Sequence, residues 1–142
     1  MSKKNKKSIF CVDDDALFLK SFEIEFAKDK LFNIYTFSSG EACLANFSLK
    51  PDIVILDYFL DGIDKEAMNG LKTLDAIKAM DDTMPVVMLS SQDSIEVAVN
   101  CLHHNAFDYV VKSETAFLRL RKNISSILLY KKLELDLKKE KQ

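Results

Sequence analysis

Glycine, proline and cysteine are all scarce in this chain: three glycines, two prolines and three cysteines among 142 residues. Cys11, Cys43 and Cys101 lie far apart in apolar settings, odd in number and without a CxxC pair. That suggests neither a disulfide framework nor a zinc site, and reads as core cysteines in a reducing compartment. Disulfides are not needed, because a chain of this size hides roughly 70% of its unfolded surface on folding. No apolar run approaches the ~20 residues of a membrane span. The basic start, MSKKNKKSIF, meets Asp13 too soon to hold the apolar stretch of a signal peptide. A cytoplasmic protein without membrane contact is expected. Nor does one charge dominate: twenty Lys plus Arg stand against twenty-two Asp plus Glu, a net charge of −2. A surface built to neutralise nucleic-acid phosphates is excluded, and no direct nucleic-acid binding is expected.

What the chain does have is alternation. Short apolar runs, Ile9 to Val12, Ile34 to Phe37, Ile53 to Leu56, Val86 to Leu89 and Tyr109 to Val111, read as strands. The third and fourth are apolar at every position, so both faces of their sheet are expected to be covered. Between them lie stretches with helical spacing: Phe18, Phe22 and Phe26; Leu71, Leu74 and Ile77; Val97, Cys101 and Leu102. Asp93 with Glu96 has capping-box spacing, and Ser38 or Ser39 before Glu41 offers a helix N-cap. Gly40, Gly62, Gly70, Pro51 and Pro85 fall at segment edges. Five strands alternating with five helices, joined by right-handed crossovers, predict an α/β fold: an open, doubly wound parallel sheet with helices on both faces. Residues 1–7 read as a basic tail, 8–126 as the domain and 127–142 as a helical extension or linker. The stretch from Thr115 onward holds no breaker and reads as one long helix. About a dozen residues suffice to cross the sheet, with Leu120, Ile124 and Ile127 as the packing stripe. The remainder, with Tyr130, Leu133 and Leu137 set among lysines, is expected to leave the domain. There it either pairs with a second copy, as a homodimer, or links to an output domain.

In an open α/β sheet, ligands bind beyond the carboxyl ends of the strands. The polar residues expected there are Asp13, Asp14 and Asp15 after the first strand, Asp57 after the third, Ser90 and Ser91 after the fourth, and Lys112 after the fifth. Carboxylates converging in one crevice repel and raise a pKa unless a cation holds them ionised. An all-oxygen set favours Mg²⁺ or a similar hard ion, which commonly bridges carboxylates to a phosphoryl oxygen. The Ser90 hydroxyl and the Lys112 ammonium are suited to the other phosphoryl oxygens. Each piece also has a structural reading alone: acidic residues at a helix start, a capping serine, a solvated lysine, a core tyrosine.

Taken in order, IFCVDDD, PDIVILD, PVVMLSS and DYVVK resemble the receiver domain of two-component response regulators, over roughly residues 8–125. The resemblance implies a flavodoxin-like (βα)5 fold with strand order 2-1-3-4-5. It also implies that Asp57 is the phosphoacceptor, a carboxylate nucleophile served by a sensor histidine kinase or phosphotransfer protein. Asp14 would be a direct Mg²⁺ ligand, Asp13 would act through water, and the backbone carbonyl of Phe59 would complete the protein's share. Lys112 would pair with the phosphoryl group. Ser90 would bond to it and leave space for Tyr109 to turn inward, a two-state element biased by a local charge. The output would be contact with a downstream protein target or a linked output domain, and the domain would be a signalling module rather than an enzyme.

Three departures from that pattern stand out. About five extra residues, Ile63 to Ala67, lengthen the loop after Asp57 and make it more acidic. Ser113 stands where a cis-bonded proline is usual, and a trans Lys112–Ser113 bond is expected because a non-proline cis bond costs roughly 3 kcal/mol. Ser91 replaces a smaller residue. Two alternative functions follow from the same residues. One is a pseudo-receiver that docks without being phosphorylated. The other is a haloacid-dehalogenase-like phosphatase using Asp13-Asp14-Asp15, which would leave Asp57 idle.

Overall fold

The computed structural model describes residues 6–62 and 65–141. Five parallel strands, β1 (Lys7–Val12), β2 (Phe32–Phe37), β3 (Ile53–Asp57), β4 (Val86–Ser90) and β5 (Asp108–Val111), form one sheet in the order β2-β1-β3-β4-β5. Helices α1 (Ala16–Phe26), α2 (Gly40–Ala45), α3 (Gly70–Met80), α4 (Ile95–His103) and α5 (Ala116–Lys141) alternate with them. A short 3₁₀ turn, Phe47–Leu49, follows α2 and carries no apolar periodicity that would announce it. The α/β architecture and strand order match the expected ones. Strands β1 and β2 begin two residues early because Lys7 pairs with Phe32 at the sheet edge, so Lys7 belongs to the sheet and not to a tail.

Strand parity sorts the core into two layers. Phe10, Val12, Val54, Leu56, Val86 and Met88 face one side, where Cys43 of α2, Leu74 and Ile77 of α3, and Cys101 of α4 cover them. Ile9, Cys11, Ile53, Ile55, Val87 and Leu89 face the other, under Phe22 and Phe26 of α1 and Leu120, Ile124 and Ile127 of α5. Every residue of β3 and β4 is buried, which is why those strands carry no polar alternation. The three cysteines are free and buried.

Caps fix where the helices begin. Asp15 accepts from the backbone N–H groups of Leu17 and Phe18, Ser39 from Ala42, and Asn69 from Lys72. At α4 the expected Asp93 cap is corrected: Ser94, one residue on, accepts from Val97 N–H at 3.3 Å and leaves Glu96 in the first turn. Asx-type spacing at Asp93 misled because Ser94 places its hydroxyl at the proper reach to the third helical N–H. The C-terminal helix packs its Leu120–Ile124–Ile127 stripe on the sheet as expected, and Ile127 lies inside that layer rather than in an extension. Beyond it, Tyr130, Leu133, Leu135 and Leu137 are exposed. Lys131 tethers the helix there, donating to the Asp52 carbonyl at 2.8 Å.

Gly70 starts α3 directly beneath the end of β3. A Cβ there would lie 2.2 Å from the Asp57 carbonyl oxygen and 2.6 Å from the Tyr58 backbone. Only glycine lets the helix approach the strand end so closely, and its N–H donates to the Tyr58 carbonyl at 3.0 Å. Gly70→Ala is therefore expected to lower stability by about 1–3 kcal/mol in urea unfolding. An unchanged midpoint would show that the helix and strand can separate without cost.

Candidate functional site

The carboxyl ends of β1, β3, β4 and β5 deliver the site. Asp13 leaves β1 with its N–H donating to the Phe37 carbonyl at 3.0 Å, and it is wholly buried. Its Oδ1 accepts from Asp15 N–H at 2.9 Å, and its Oδ2 lies 2.6 Å from Lys112 Nζ. Asp57 closes β3 at 4% exposure, with Oδ2 3.7 Å from the same ammonium. Asp13, Asp14 and Asp57 each offer an oxygen within 4.8 Å of the others. Asp15 is drawn out of this group to cap α1, so the DDD run splits into two site carboxylates and one helix cap.

The electrostatics follow from burial. Desolvation, then the neighbouring Asp13 carboxylate, push the Asp57 carboxyl up to about 7, against the pull of Lys112 and of a hydrogen bond from Phe59 N–H. Burial alone would lower Lys112, but its hydrogen bond to Asp13 and the surrounding carboxylates hold it above the usual lysine range. Desolvation pushes the Cys11 thiol well above its ordinary value, with Asp13 adding to the effect. Cys43 and Cys101 rise to about 12 and about 11 by burial. All three thiols are therefore unreactive core residues. The donor set fits a hard divalent cation: three carboxylates, oxygen only, crowded so that a positive ion relieves their repulsion.

The remaining predicted residues surround this group. Ser90 is buried at the end of β4, with its Oγ accepting from Gln92 N–H at 3.0 Å and its carbonyl accepting from Lys112 N–H at 2.8 Å. Tyr109, the residue expected to turn inward on modification, is seen here in one position. It already lies in the apolar layer, 8% exposed, with its hydroxyl donating to the Gln92 carbonyl at 2.5 Å. That bond satisfies the Tyr109 hydroxyl. Gln92 thus touches both Ser90 and Tyr109 through its backbone, a role that side-chain identity does not signal. No peptide bond is cis among the described residues, so Lys112–Ser113 is trans as expected. Of the lengthened loop after Asp57, Ile63 and Asp64 lie outside the described residues. Gly62 sits against Asp14, where an added Cβ would meet Oδ2 at 3.4 Å, and Met68 N–H donates to Glu41 of α2 at 2.8 Å. His103 and His104 end α4, and His104 Nδ1 meets Asp75 of α3 at 2.8 Å. Besides Gln92, the sequence leaves Phe18 unmarked as a site residue: grouped by its spacing with Phe22 and Phe26, it presents its ring to Lys112 Nζ, 4.5 Å from the centroid.

The family model for the response regulator receiver domain matches residues 9–125. The protein-glutamate methylesterase/protein-glutamine glutaminase of Clostridium acetobutylicum is 30% identical over 116 residues, covering 79% of this chain and 32% of that protein. The transcriptional regulatory protein PrrA of Mycobacterium leprae is 32% identical over 105 residues, covering 73% of this chain and 42% of that protein. The crystal structure of the receiver domain of NtrX from Brucella abortus is 30% identical with a TM-score of 0.72, covering 84% of this chain and 97% of that one. The chain belongs to the response regulator receiver family, whose members are signalling domains. It spans less than half the length of either curated relative. The match leaves the dehalogenase-like phosphatase alternative without support. Among the described residues no helix is long and apolar enough to cross a membrane.

Asp57 sets a pH dependence whose sign is fixed by its upward shift. Below about pH 4 the carboxyl is protonated folded and unfolded alike, and its burial costs no ionisation. Between its ordinary 3.8 and about 7 the unfolded chain releases the proton first, so folding stability falls as pH rises. Asp57→Asn removes this loss. In chelator at pH 8 the variant is expected to melt above the wild type, with the gap closing toward pH 4 or on adding Mg²⁺. A variant that melts lower at pH 8 would contradict a costly buried charge.

Proposed function

We propose that Asp57 accepts a phosphoryl group from a sensor histidine kinase or phosphotransfer protein. The observation that carries this reading is a carboxylate 4% exposed at the end of the central strand, grouped with two others and 3.7 Å from a lysine ammonium. One Asp57 oxygen attacks phosphorus, the phosphorus–nitrogen bond of the donor phosphohistidine breaks, and the departing imidazole keeps the electron pair. The product is an acyl phosphate. Bound Mg²⁺ would spread the charge on the transferring oxygens. Asp14, Asp57 and the Phe59 carbonyl are the residues to hold it, with Asp13 acting through water.

Lys112 then exchanges Asp13 for a phosphoryl oxygen, and Ser90 exchanges Gln92 N–H for another. Because Tyr109 also holds Gln92, the movement of Ser90 reaches the buried ring through that one residue. Phosphorylation in this account steadies or loosens an existing contact instead of swinging the ring in from solvent. The readout is a changed protein contact, made to a downstream target or linked output domain, in the cytoplasm and without nucleic acid or membrane. The exposed leucines of α5 beyond Lys131 supply apolar surface for such a contact or for a second copy.

Incubation with acetyl phosphate and Mg²⁺ is expected to add one phosphoryl group per chain, mapped by peptide mass to Asp57. Asp57→Asn, Asp14→Ala and excess chelator each reduce labelling to background. Labelling of Asp57→Asn at the wild-type rate overturns the assignment. Mg²⁺ binding without labelling from either acetyl phosphate or a phosphohistidine donor would favour the docking-only alternative.

A further inference from the structure

Lysine is a poor choice for a fixed charge: its ammonium sits on a four-carbon stem with about 2 kcal/mol of rotamer entropy and no preferred geometry. Lys112 nonetheless holds one place, with its side chain 18% exposed and its Nζ 2.6 Å from Asp13 and 3.7 Å from Asp57. The residues that follow include no proline; Ser113 N–H donates to the Val111 carbonyl at 2.8 Å and Thr115 N–H to Ser113 Oγ at 3.3 Å, bonds that fix the main chain and not the side-chain stem of Lys112. The other contact to the ammonium is aromatic: the Phe18 ring, 4.5 Å from Nζ to centroid. Beside them a shallow cavity of about 250 Å³ is lined by Phe18, Lys112, Ser113, Ala116 and Phe117.

Two features make that ring a fixed wall. Phe18 lies on the first turn of α1, and its own N–H donates to the Asp15 cap at 3.3 Å, so it is set by the same turn that presents Asp13 and Asp14. On its outer side it meets Phe117 of α5 at 5.7 Å, and Phe117 in turn contacts Phe22 and Phe26. The ring therefore joins the loop after β1, which carries the acidic pair, to the start of α5, which follows Lys112. A phenyl face carries negative charge density and attracts a cation without competing for its hydrogen bonds, unlike a carboxylate. Its attraction persists while the three donors of the ammonium change partners.

We propose that Phe18 is a positioning residue for phosphoryl transfer: its ring holds the Lys112 ammonium over the Asp57 carboxylate while Lys112 passes from Asp13 to the incoming phosphoryl oxygens. This rests on the phosphoacceptor reading of Asp57. Leucine at position 18 stays apolar against Phe117 but gives up the ring contact and the electrostatic guide. The acidic cluster is left intact, so the effect is confined to the rate at which Lys112 reaches the phosphoryl group.

The test uses the intact chain. In the wild type, the ε-methylene protons of Lys112 are expected to resonate upfield of those of every other lysine because they lie under a ring, and Phe18→Leu abolishes that shift. With acetyl phosphate and Mg²⁺, Phe18→Leu is expected to label Asp57 roughly three- to tenfold more slowly, while Phe18→Tyr labels within about twofold of wild type. In a Lys112→Met background Phe18→Leu should add no further slowing, whereas a residue that served only packing would slow both backgrounds alike. Lys112 protons in the ordinary lysine range overturn the placement even if Phe18→Leu fails to fold. Equal rates for wild type and Phe18→Leu, no rescue by tyrosine, or equal slowing in both backgrounds overturn the role while leaving Asp57 as acceptor. A wild type that does not label at Asp57 overturns the acceptor reading, and the role of Phe18 with it.

Discussion

The arrangement at the carboxyl edge of the sheet depends on one constraint: two carboxylates, Asp13 and Asp57, are buried side by side under a single ammonium. One cation does not satisfy both. It lies 2.6 Å from Asp13 and 3.7 Å from Asp57, and the balance of burial and repulsion lifts Asp57 to about 7. Further positive charge, a divalent ion first, relieves that crowding. A site with an unsatisfied electrostatic demand at rest has something to gain from binding, which is what allows a local event to bias a larger equilibrium.

The fold exists to impose that crowding. Parallel strands buried on both faces can end in polar residues only at their tips, and the parity that sends Phe10 and Val12 to one layer and Cys11 to the other leaves Asp13 and Asp57 at the same edge. Gly70 brings α3 against the strand end beside Asp57. On the opposite flank, α1 begins at the Asp15 cap and α5 begins just after Lys112, and their aromatic contact through Phe18 and Phe117 closes the cluster from the side. The site is thus a property of four strand tips and three helix starts, with no long loop among the described residues that touch the ammonium.

Much of this was legible in the chain. Uninterrupted apolar runs in β3 and β4 announced a sheet covered on both faces, and the acidic and basic residues at their ends announced where the chemistry sits, because a charge at the end of a buried strand has no packing reason to be there. What escaped had physical causes. Asp15 looked like a third site carboxylate, but capping and ligation use the same side chain and only the turn decides between them. Asp93 lost the α4 cap to Ser94 by one residue, the usual uncertainty of helix starts. Phe18 shared the four-residue spacing of Phe22 and Phe26 and so read as core, since periodicity reports which face a residue occupies and not which neighbour it meets there. The role of Gln92 is carried by its backbone, to which its side chain gives no clue.

The central claim is that Asp57, Lys112 and the acidic pair form one receptacle for a metal-supported phosphoryl group. Beryllofluoride, which mimics a phosphoryl group on a carboxylate without any bond to phosphorus being made or broken, tests that geometry apart from reaction rate. In fluorine NMR of the wild-type protein with beryllofluoride and Mg²⁺, resolved resonances from bound fluorines are expected, requiring the metal and absent in Asp57→Asn. The same resonances in Asp57→Asn, or none in a folded wild type that retains its Mg²⁺, would contradict the account.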